Sequence, residues 1–252
     1  MKRNCIVIAA ACLLVIGTSM SANAQAEGLS ALDILNKVDD VTNGARDQKY
    51  TMQIILIDKG GNEKSRELLM LQKGRDKRLA RFLTPADQRG IAFLSLPGDV
   101  QYLYLPAFGK VRRIASHVKN TSFAGTDFTY EDMEAIRLAE KWDPRILRQE
   151  QDQTVLEMSP RPGKATDYSK VVLWVRNDNF YPVRVENYGK DGALCKILVR
   201  EKLQKVKGYW TSMETTMEDV RKQHKTRMLV SDMAFDTGIA DAKFTERSLS
   251  QQ

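Results

Sequence analysis

The sequence is poor in the residues on which most catalytic and metal sites depend. Its 252 residues include three cysteines and two histidines. Neither His117 nor His224 has a second histidine or a neighbouring cysteine at a ligand spacing, which excludes the common zinc sites. The chain also lacks a Gly-x-Ser-x-Gly elbow, a His-Glu-x-x-His motif and a phosphate-binding glycine loop. We therefore predict a protein that is not an enzyme, with no metal and no cofactor.

The first 26 residues have the pattern of a cleaved secretory signal. Lys2 and Arg3 precede an apolar run at 5–16, and Ala24-Gln25-Ala26 is a small-x-small cleavage site. The run is shorter than the ~20 residues that span a bilayer. It also continues past Cys12, whereas a lipidated cysteine should close it. We predict a signal peptide at 1–26 and export to a periplasm.

Disulfides and nucleic acid are also unexpected. Once the signal is removed, Cys195 is the only cysteine, so no disulfide can form within the chain. The formal charge of the full chain is +7, and removal of Lys2 and Arg3 with the signal leaves 7 − 2 = +5. This modest excess suits anionic lipid surfaces, and an ordinary mixed, solvated surface is the alternative explanation. No basic run or nucleic-acid motif accompanies it. Residues 27–252 are enough for a single domain with a sizeable core. They contain no internal repeat or domain boundary, and we expect a monomer.

Alternating apolar and polar residues between tight turns predict about a dozen β-strands. Helices are predicted at 29–43, where Ser30 and Asp33 have capping-box spacing, and at 133–140 and 240–249. Successive hairpins imply an antiparallel sheet, and so many strands should curl toward a barrel or sandwich. The predicted strands are 50–57, 65–72, 77–83, 91–96, 101–105, 111–114, 145–149, 154–159, 170–176, 183–188, 193–203, 209–217 and 225–235.

The most distinctive stretch runs from Tyr102 to Met133, YLYLPAFGKVRRIASHVKNTSFAGTDFTYEDM. Its first half is a predicted hairpin. Its second half is aromatic and punctuated by glycine, and we expect a structured loop that covers part of the fold, since long ordered loops are usually functional. Asp127, Glu131 and Asp132 are acids of a kind used in acid–base catalysis. We interpret them instead as acids that cap the following helix and oppose its dipole.

This stretch resembles the LolA-like family of outer-membrane lipoprotein-sorting proteins. The resemblance lies in the branch with Leu-Pro-x-x-Gly-Lys-Val-Arg-Arg-Ile followed by Ser-Phe-x-Gly-x-Asp-Phe-x-Tyr-Glu-Asp, and it covers residues 29–249. It implies an α+β, mainly antiparallel β fold: an incompletely closed, strongly curved β-barrel with helices covering the concave face. It also implies a cavity arginine, for which Arg78 and Arg81 are both candidates. The matching positions are Leu105, Pro106, 109–114, Ser122, Phe123, Gly125, Asp127, Phe128 and 130–132.

Methionine is the most informative residue type. Eight methionines follow residue 26, and this flexible side chain recurs on surfaces that accept varied apolar partners. Ordinary core packing is the alternative explanation. We predict an apolar cavity and its cover, able to hold acyl chains, formed by Met52, Ile54, Leu56, Leu69, Leu71, Phe82, Tyr102, Tyr104, Phe123, Phe128 and Tyr130.

A basic cluster in the same stretch has two interpretations. In the first, its arginines pair with nearby acids and hold the loop on the hairpin. In the second, Lys110, Arg112 and Arg113 contact an anionic head group or a partner protein. His117 and Lys119 complete the cluster.

Two functions agree with these features. The first is a periplasmic carrier or chaperone that binds lipid or the acyl chains of a lipoprotein and delivers them toward the outer membrane. Its partners would be an inner-membrane exporter and an outer-membrane acceptor. The alternative is a non-catalytic interaction or sensor module on the same fold, with a filled core, accessory to a membrane exporter.

Overall fold

The computed structural model describes residues 28–251. The predicted signal peptide lies outside these residues. No helix within the described part of the chain is long and apolar enough to cross a membrane.

Thirteen strands of the described chain form a single antiparallel sheet. All thirteen overlap strands predicted from the sequence. Their bounds are β1 Asp47–Ile57, β2 Glu63–Lys73, β3 Lys77–Thr84, β4 Ala92–Leu96, β5 Val100–Leu105, β6 Lys110–Arg113, β7 Trp142–Gln149, β8 Gln153–Pro160, β9 Tyr168–Arg176, β10 Pro182–Gly189, β11 Leu194–Val206, β12 Tyr209–Asp219 and β13 His224–Phe235.

The chain builds this sheet outward from its centre and then inward again. From β1 it proceeds strand by strand to β6 at one edge, passes to β7 at the other edge, and returns to β13 beside β1. The mainly antiparallel β class is therefore confirmed. The sheet is not closed, as predicted, since each edge strand pairs with one neighbour only among the described strands. It is a single open sheet and not a strongly curled barrel, which corrects that part of the prediction.

The N-terminal helix, α1 at Ala31–Asn43, begins at the predicted capping box. The Ser30 hydroxyl accepts from the amide of Asp33, whose carboxylate accepts from the amide of Ser30. Ile34, Leu35 and Val38 are fully buried and pack on β7–β9. This contact anchors α1 to one side of the sheet.

The second predicted helix is much shorter than expected. Only α2, Leu138–Lys141, is helical. Ahead of it, the carbonyls of Met133 and Glu134 accept hydrogen bonds from Arg78, and the amide of Ala135 donates to Ser95. Because these backbone groups bond to the sheet, they do not form helical hydrogen bonds.

The C-terminal segment packs on the outer face of β3–β5. It consists of a 3₁₀ turn, Asp241–Lys243, and α3, Glu246–Leu249, instead of one helix over 240–249. Phe244 and Leu249 are buried in a cluster with Leu79, Ala92 and Leu94.

Candidate functional site

One long connection crosses a face of the sheet. Because β6 and β7 are its opposite edges, residues 114–141 have to traverse the width of the sheet to join them. We call this connection the cover segment. It contains the aromatic half of the stretch singled out in the sequence, so the predicted covering loop is present.

Aromatic stacking holds the middle of the cover segment on the sheet. The ring of Phe123 lies 5.5 Å from that of Phe82, with 27° between their planes. It also lies 5.7 Å from Phe93 and 5.9 Å from Tyr130. Such pairs contribute about 0.5–1.5 kcal/mol each beyond the burial of area.

Buried polar contacts hold the rest of the segment. Asp132 accepts from Lys196 of β11 at 2.7 Å and from the hydroxyl of Tyr168 at 2.8 Å. Asp127 lies 2.7 Å from Nδ1 of His224 on β13. The helix begins only at Leu138, so the interpretation of these acids as caps was wrong. They join the cover segment to the strands beneath it.

A third group of ions surrounds Lys141, the last residue of α2. The Lys141 ammonium lies 2.9 Å from Glu131 and 3.3 Å from Glu134. Burial opposes the charge on Lys141, but the two carboxylates outweigh it and raise its pKa. Burial raises the pKa of Glu134, which also lies 3.7 Å from Lys119.

A cavity of about 390 Å³ lies between the sheet, α1 and the cover segment. Ten of the thirteen strands contribute to its wall, from β3 to β7 in the order of the sheet. Six of the eight methionines after residue 26 line it: Met52, Met70, Met133, Met158, Met217 and Met228.

The structure brings together part of the lining predicted from the sequence. The predicted residues that border the cavity are Met52, Ile54, Phe82, Phe123 and Phe128. Leu56 is buried in the same cluster, and Tyr130 packs against that cluster beside Phe93 and Phe123. Neither borders the cavity.

Four predicted lining residues belong to the other face. Leu71, Tyr102 and Tyr104 pack with the outer cluster around Phe244. Leu69 alternates with Leu68, which lines the cavity opposite Met52 on β1. Residues directly paired across strands share a face, so a shift of one residue along β2 reverses the assignment.

A polar patch on the cavity wall was not predicted as a unit. Arg78 and Arg200 are enclosed by protein atoms yet keep some accessible surface, and both line the cavity. Tyr50 and Tyr181 also line it. Burial lowers the pKa of Arg78 to about 10 and raises that of Tyr50 to about 12. Burial also lowers the pKa of Arg200 and raises that of Tyr181. Arginine stays protonated in proteins, so this wall has two guanidinium cations and two neutral phenols.

The structure distinguishes between the two candidate arginines of β3. Arg78 lines the cavity, whereas Arg81 donates to the carbonyl of Ser248 in the C-terminal segment. Arg78 is four residues before Phe82 on the same strand, so period-two alternation places both on one face. That signal was present in the sequence.

Two crystal structures similar to this chain cover nearly all of the described residues. A putative outer membrane lipoprotein-sorting protein domain from Vibrio parahaemolyticus is 32% identical, with a TM-score of 0.80 over 88% of this chain and 98% of that one. A DUF1329 family protein from Desulfovibrio piger is 29% identical, with a TM-score of 0.82 over 87% and 97%. A family model described as an uncharacterized protein matches residues 74–251. The chain belongs to the LolA-like family.

A LolA superfamily protein from Nitrosomonas europaea shares the same fold. It is 24% identical, with a TM-score of 0.73 over 87% of this chain and 99% of that one. A comparison with curated proteins gives no match.

In this LolA-like chain the basic cluster divides into two groups. Lys119 is buried and pairs with Asp99 and Glu134, but the first interpretation, in which the two arginines pair with nearby acids, is wrong. Lys110, Arg112 and Arg113 are exposed on β6, with no ion pair to any described residue.

A buried carboxylate links the first helix of this LolA-like chain to the cover segment. Asp39 is fully buried on α1. It accepts from the amides of Leu138 and Ala139 at 2.9 and 3.1 Å. Burial raises its pKa against these hydrogen bonds. Asp39 also borders the cavity, so α1, α2 and the cavity wall meet at this side chain.

Proposed function

We propose that this chain is an exported, single-domain carrier that works in the periplasm without covalent chemistry. It binds lipid, or the acyl chains of a lipoprotein, in the cavity under the cover segment and delivers them toward the outer membrane. The observation on which this proposal depends is the methionine-lined cavity of about 390 Å³. Its size falls in the ~300–1,000 Å³ range of small-molecule pockets.

The driving force is the burial of apolar surface, at roughly 25 cal/mol per Å². Flexible methionine side chains suit acyl chains of different length and branching because they repack at little cost. The aromatic and ionic contacts of the cover segment keep it closed over the cavity. Exchange of the ligand then requires these contacts to break. An inner-membrane exporter and an outer-membrane acceptor would act at this step.

The comparisons support the choice of cargo class. The similar Vibrio parahaemolyticus domain is described as a putative outer membrane lipoprotein-sorting protein. The alternative, an interaction module with a filled core, predicts no space beneath the cover segment, so the cavity favours the carrier.

A cavity-filling variant tests this proposal. Met70 borders the cavity, whereas its neighbour Leu69 lies on the other face of β2. Met70→Trp should lower the binding of a fluorescent acyl probe several-fold without lowering the melting temperature. Leu69→Trp is the matched control and should bind as the wild type does. Equal probe binding by all three proteins would show that acyl chains do not enter this cavity.

We further propose that the hairpin β5–β6 contacts the anionic head groups of a membrane. Phe108 at its tip is 64% exposed, and the Arg112 guanidinium lies 5.9 Å from the centre of its ring. An exposed aromatic ring beside unpaired cations suits a membrane interface.

Charge reversal tests the membrane contact. Arg112→Glu combined with Arg113→Glu should slow transfer of the probe to anionic vesicles but not to neutral ones. Arg247→Glu reverses an exposed charge in the C-terminal segment and should leave both rates unchanged. Equal slowing by both variants would point to net charge and exclude a specific role of the hairpin.

A further inference from the structure

The two arginines on the cavity wall have no carboxylate partner within salt-bridge distance among the described residues. Arg200 is the less satisfied of the two. A guanidinium has five N–H donors, and the only acceptor of Arg200 among residues 28–251 is the carbonyl of Pro182, 3.0 Å from Nη1. A buried cation without a partner is costly, so its presence in an apolar cavity calls for an explanation.

Arg78 lies in the same part of the cavity. It donates from Nε and Nη2 to the side chain of Gln72, at 3.1 and 2.7 Å. Its Nη1 reaches the carbonyls of Met133 and Glu134 at 3.3 and 3.4 Å. These acceptors are neutral. The charge of Arg200 is close enough to lower the pKa of Arg78, and the more distant carboxylate of Glu134 raises it. Two like charges therefore face one space, and no described carboxylate forms an ion pair with either of them.

The acids that line the cavity are engaged elsewhere. Glu131 pairs with Lys141, and Asp132 with Lys196. Glu134 is held by Lys141 and Lys119, and Asp39 accepts from the two amides at the start of α2. None of these four carboxylates lies within 4.0 Å of Arg78 or Arg200.

A third donor completes the patch. The hydroxyl oxygen of Tyr181 accepts from the amide of Ser212 at 3.1 Å, and its own proton has no acceptor among residues 28–251. Arg200 and Tyr181 lie near enough to influence each other's pKa. Carboxylates and phosphates are the anions that a guanidinium binds in bidentate fashion.

We propose that Arg200, Arg78 and Tyr181 bind the anionic head group of an amphiphile with one acyl chain, whose tail occupies the methionine-lined part of the cavity. The inference rests on the proposed carrier function and specifies its ligand. A volume of about 390 Å³ is at the small end of the ~300–1,000 Å³ range, which favours one chain over several. The ligand then enters head first and neutralises the two cations.

Three ligands with the same tail and different head groups test this proposal. Dodecanoate, dodecyl phosphate and dodecanol are compared by displacement of a fluorescent acyl probe from delipidated wild-type protein. The two anions should bind at least about tenfold more tightly than the alcohol. The tighter of the two identifies a carboxylate or a phosphate as the natural head group.

Variants of Arg200 then test whether this side chain causes the preference for anions. Arg200→Met should abolish the preference for anions while changing the affinity for dodecanol by less than about twofold. Arg200→Lys keeps the positive charge but loses the planar guanidinium that can bind an anion in bidentate fashion, so it should retain part of the preference for anions. Arg247→Met, which neutralises an exposed arginine outside the cavity, should retain all of it. The melting temperature of unliganded Arg200→Met should not fall, because the variant removes an unpaired buried charge.

Two results would overturn the proposal, and they differ in what else they overturn. If wild type binds dodecanoate, dodecyl phosphate and dodecanol equally, the head-group site is wrong while the carrier function stands. If none of the three displaces the probe, or the probe itself does not bind, the carrier function fails as well. The wild-type comparison decides this even if Arg200→Met does not fold.

Discussion

The two faces of strands β2–β5 are built from the same alternating sequence but have become different structures. On the outer face, Phe244 and Leu249 of the C-terminal segment close directly over Leu79, Ala92 and Leu94, and all five are almost completely buried. On the inner face, the cover segment closes over Phe82 and its neighbours yet leaves a cavity of about 390 Å³. The outer face is packed throughout, whereas the inner face is packed around a cavity.

The difference lies in how each face is covered. The outer cover is short and inserts two apolar side chains into the middle of its cluster. The inner cover spans the sheet between its edges and is held by a stack around Phe123 and by ion pairs such as Asp132–Lys196. Contacts at separate points hold a segment in place without filling the volume beneath it. A cover that contacts the sheet at a few separate positions therefore leaves a cavity that can bind a ligand, whereas a cover whose side chains pack on the whole face does not.

The largest expected effect is on the outer face. Phe244→Ala should lower the free energy of unfolding by about 3–5 kcal/mol, because it removes a buried ring from a cluster with no space to collapse into. Urea denaturation measures this loss. Binding of the acyl probe should persist in the folded fraction of the variant.

The matched control is Phe108→Ala, which truncates a ring that is 64% exposed. Its effect should stay within about 0.5 kcal/mol. A similar loss of stability in the two variants would show that Phe244 does not lie in a tightly packed core.

The next largest loss of stability is expected at an ion pair that holds the cover segment on the inner face of the sheet. Lys196→Met leaves Asp132 buried without its cation and should cost about 3 kcal/mol. Lys222→Met removes a lysine at the same 2.7 Å distance from its acid, Asp219, but Lys222 is 71% exposed. Its loss should cost less than about 1 kcal/mol. Urea denaturation compares the two, and the acyl probe should enter Lys196→Met faster than the wild type. Unchanged entry despite lost stability would show that this ion pair does not limit opening.

The strand order along the chain was predictable because its signals are local. Period-two alternation and turns such as Gly60-Gly61-Asn62 place every strand within a few residues of its observed bounds. The capping box at Ser30 fixes the start of α1 for the same reason. Each of these features depends on residues that are neighbours in sequence.

The face of β2 was not predictable from β2 alone. Residues 68–71 are all apolar, Leu-Leu-Met-Leu, so alternation gives no preferred direction. The pairing of Leu68 with Met52 of β1 and with Phe82 of β3 decides it. Tyr102 and Tyr104 were misplaced because the cover over the outer face comes from residues more than a hundred positions away.

The polar patch and the short α2 depend on contacts between distant residues. Arg78 and Arg200 come from strands far apart in sequence and meet only in the folded chain. The helix expected at 133–140 gives way because Arg78 and Ser95 take up its backbone groups. Propensity favours a helix there, and tertiary contacts override it.

The smallest expected effect is at the edge of the outer cover. Asp241 accepts hydrogen bonds from Lys73 and Lys77, both at 2.8 Å, and these hold its pKa at about 2. Its ordinary pKa is 3.8, so the unfolded state binds the proton first as the pH falls. The contribution of Asp241 to stability is therefore complete above about pH 4 and is lost as the pH falls toward 2. Since Asp241 is exposed, Asp241→Asn should lower the melting temperature by no more than about 2 °C at pH 7. At pH 2 the difference in melting temperature between the variant and the wild type should shrink. A difference as large as at pH 7 would mean that the charge of Asp241 does not stabilise the C-terminal segment.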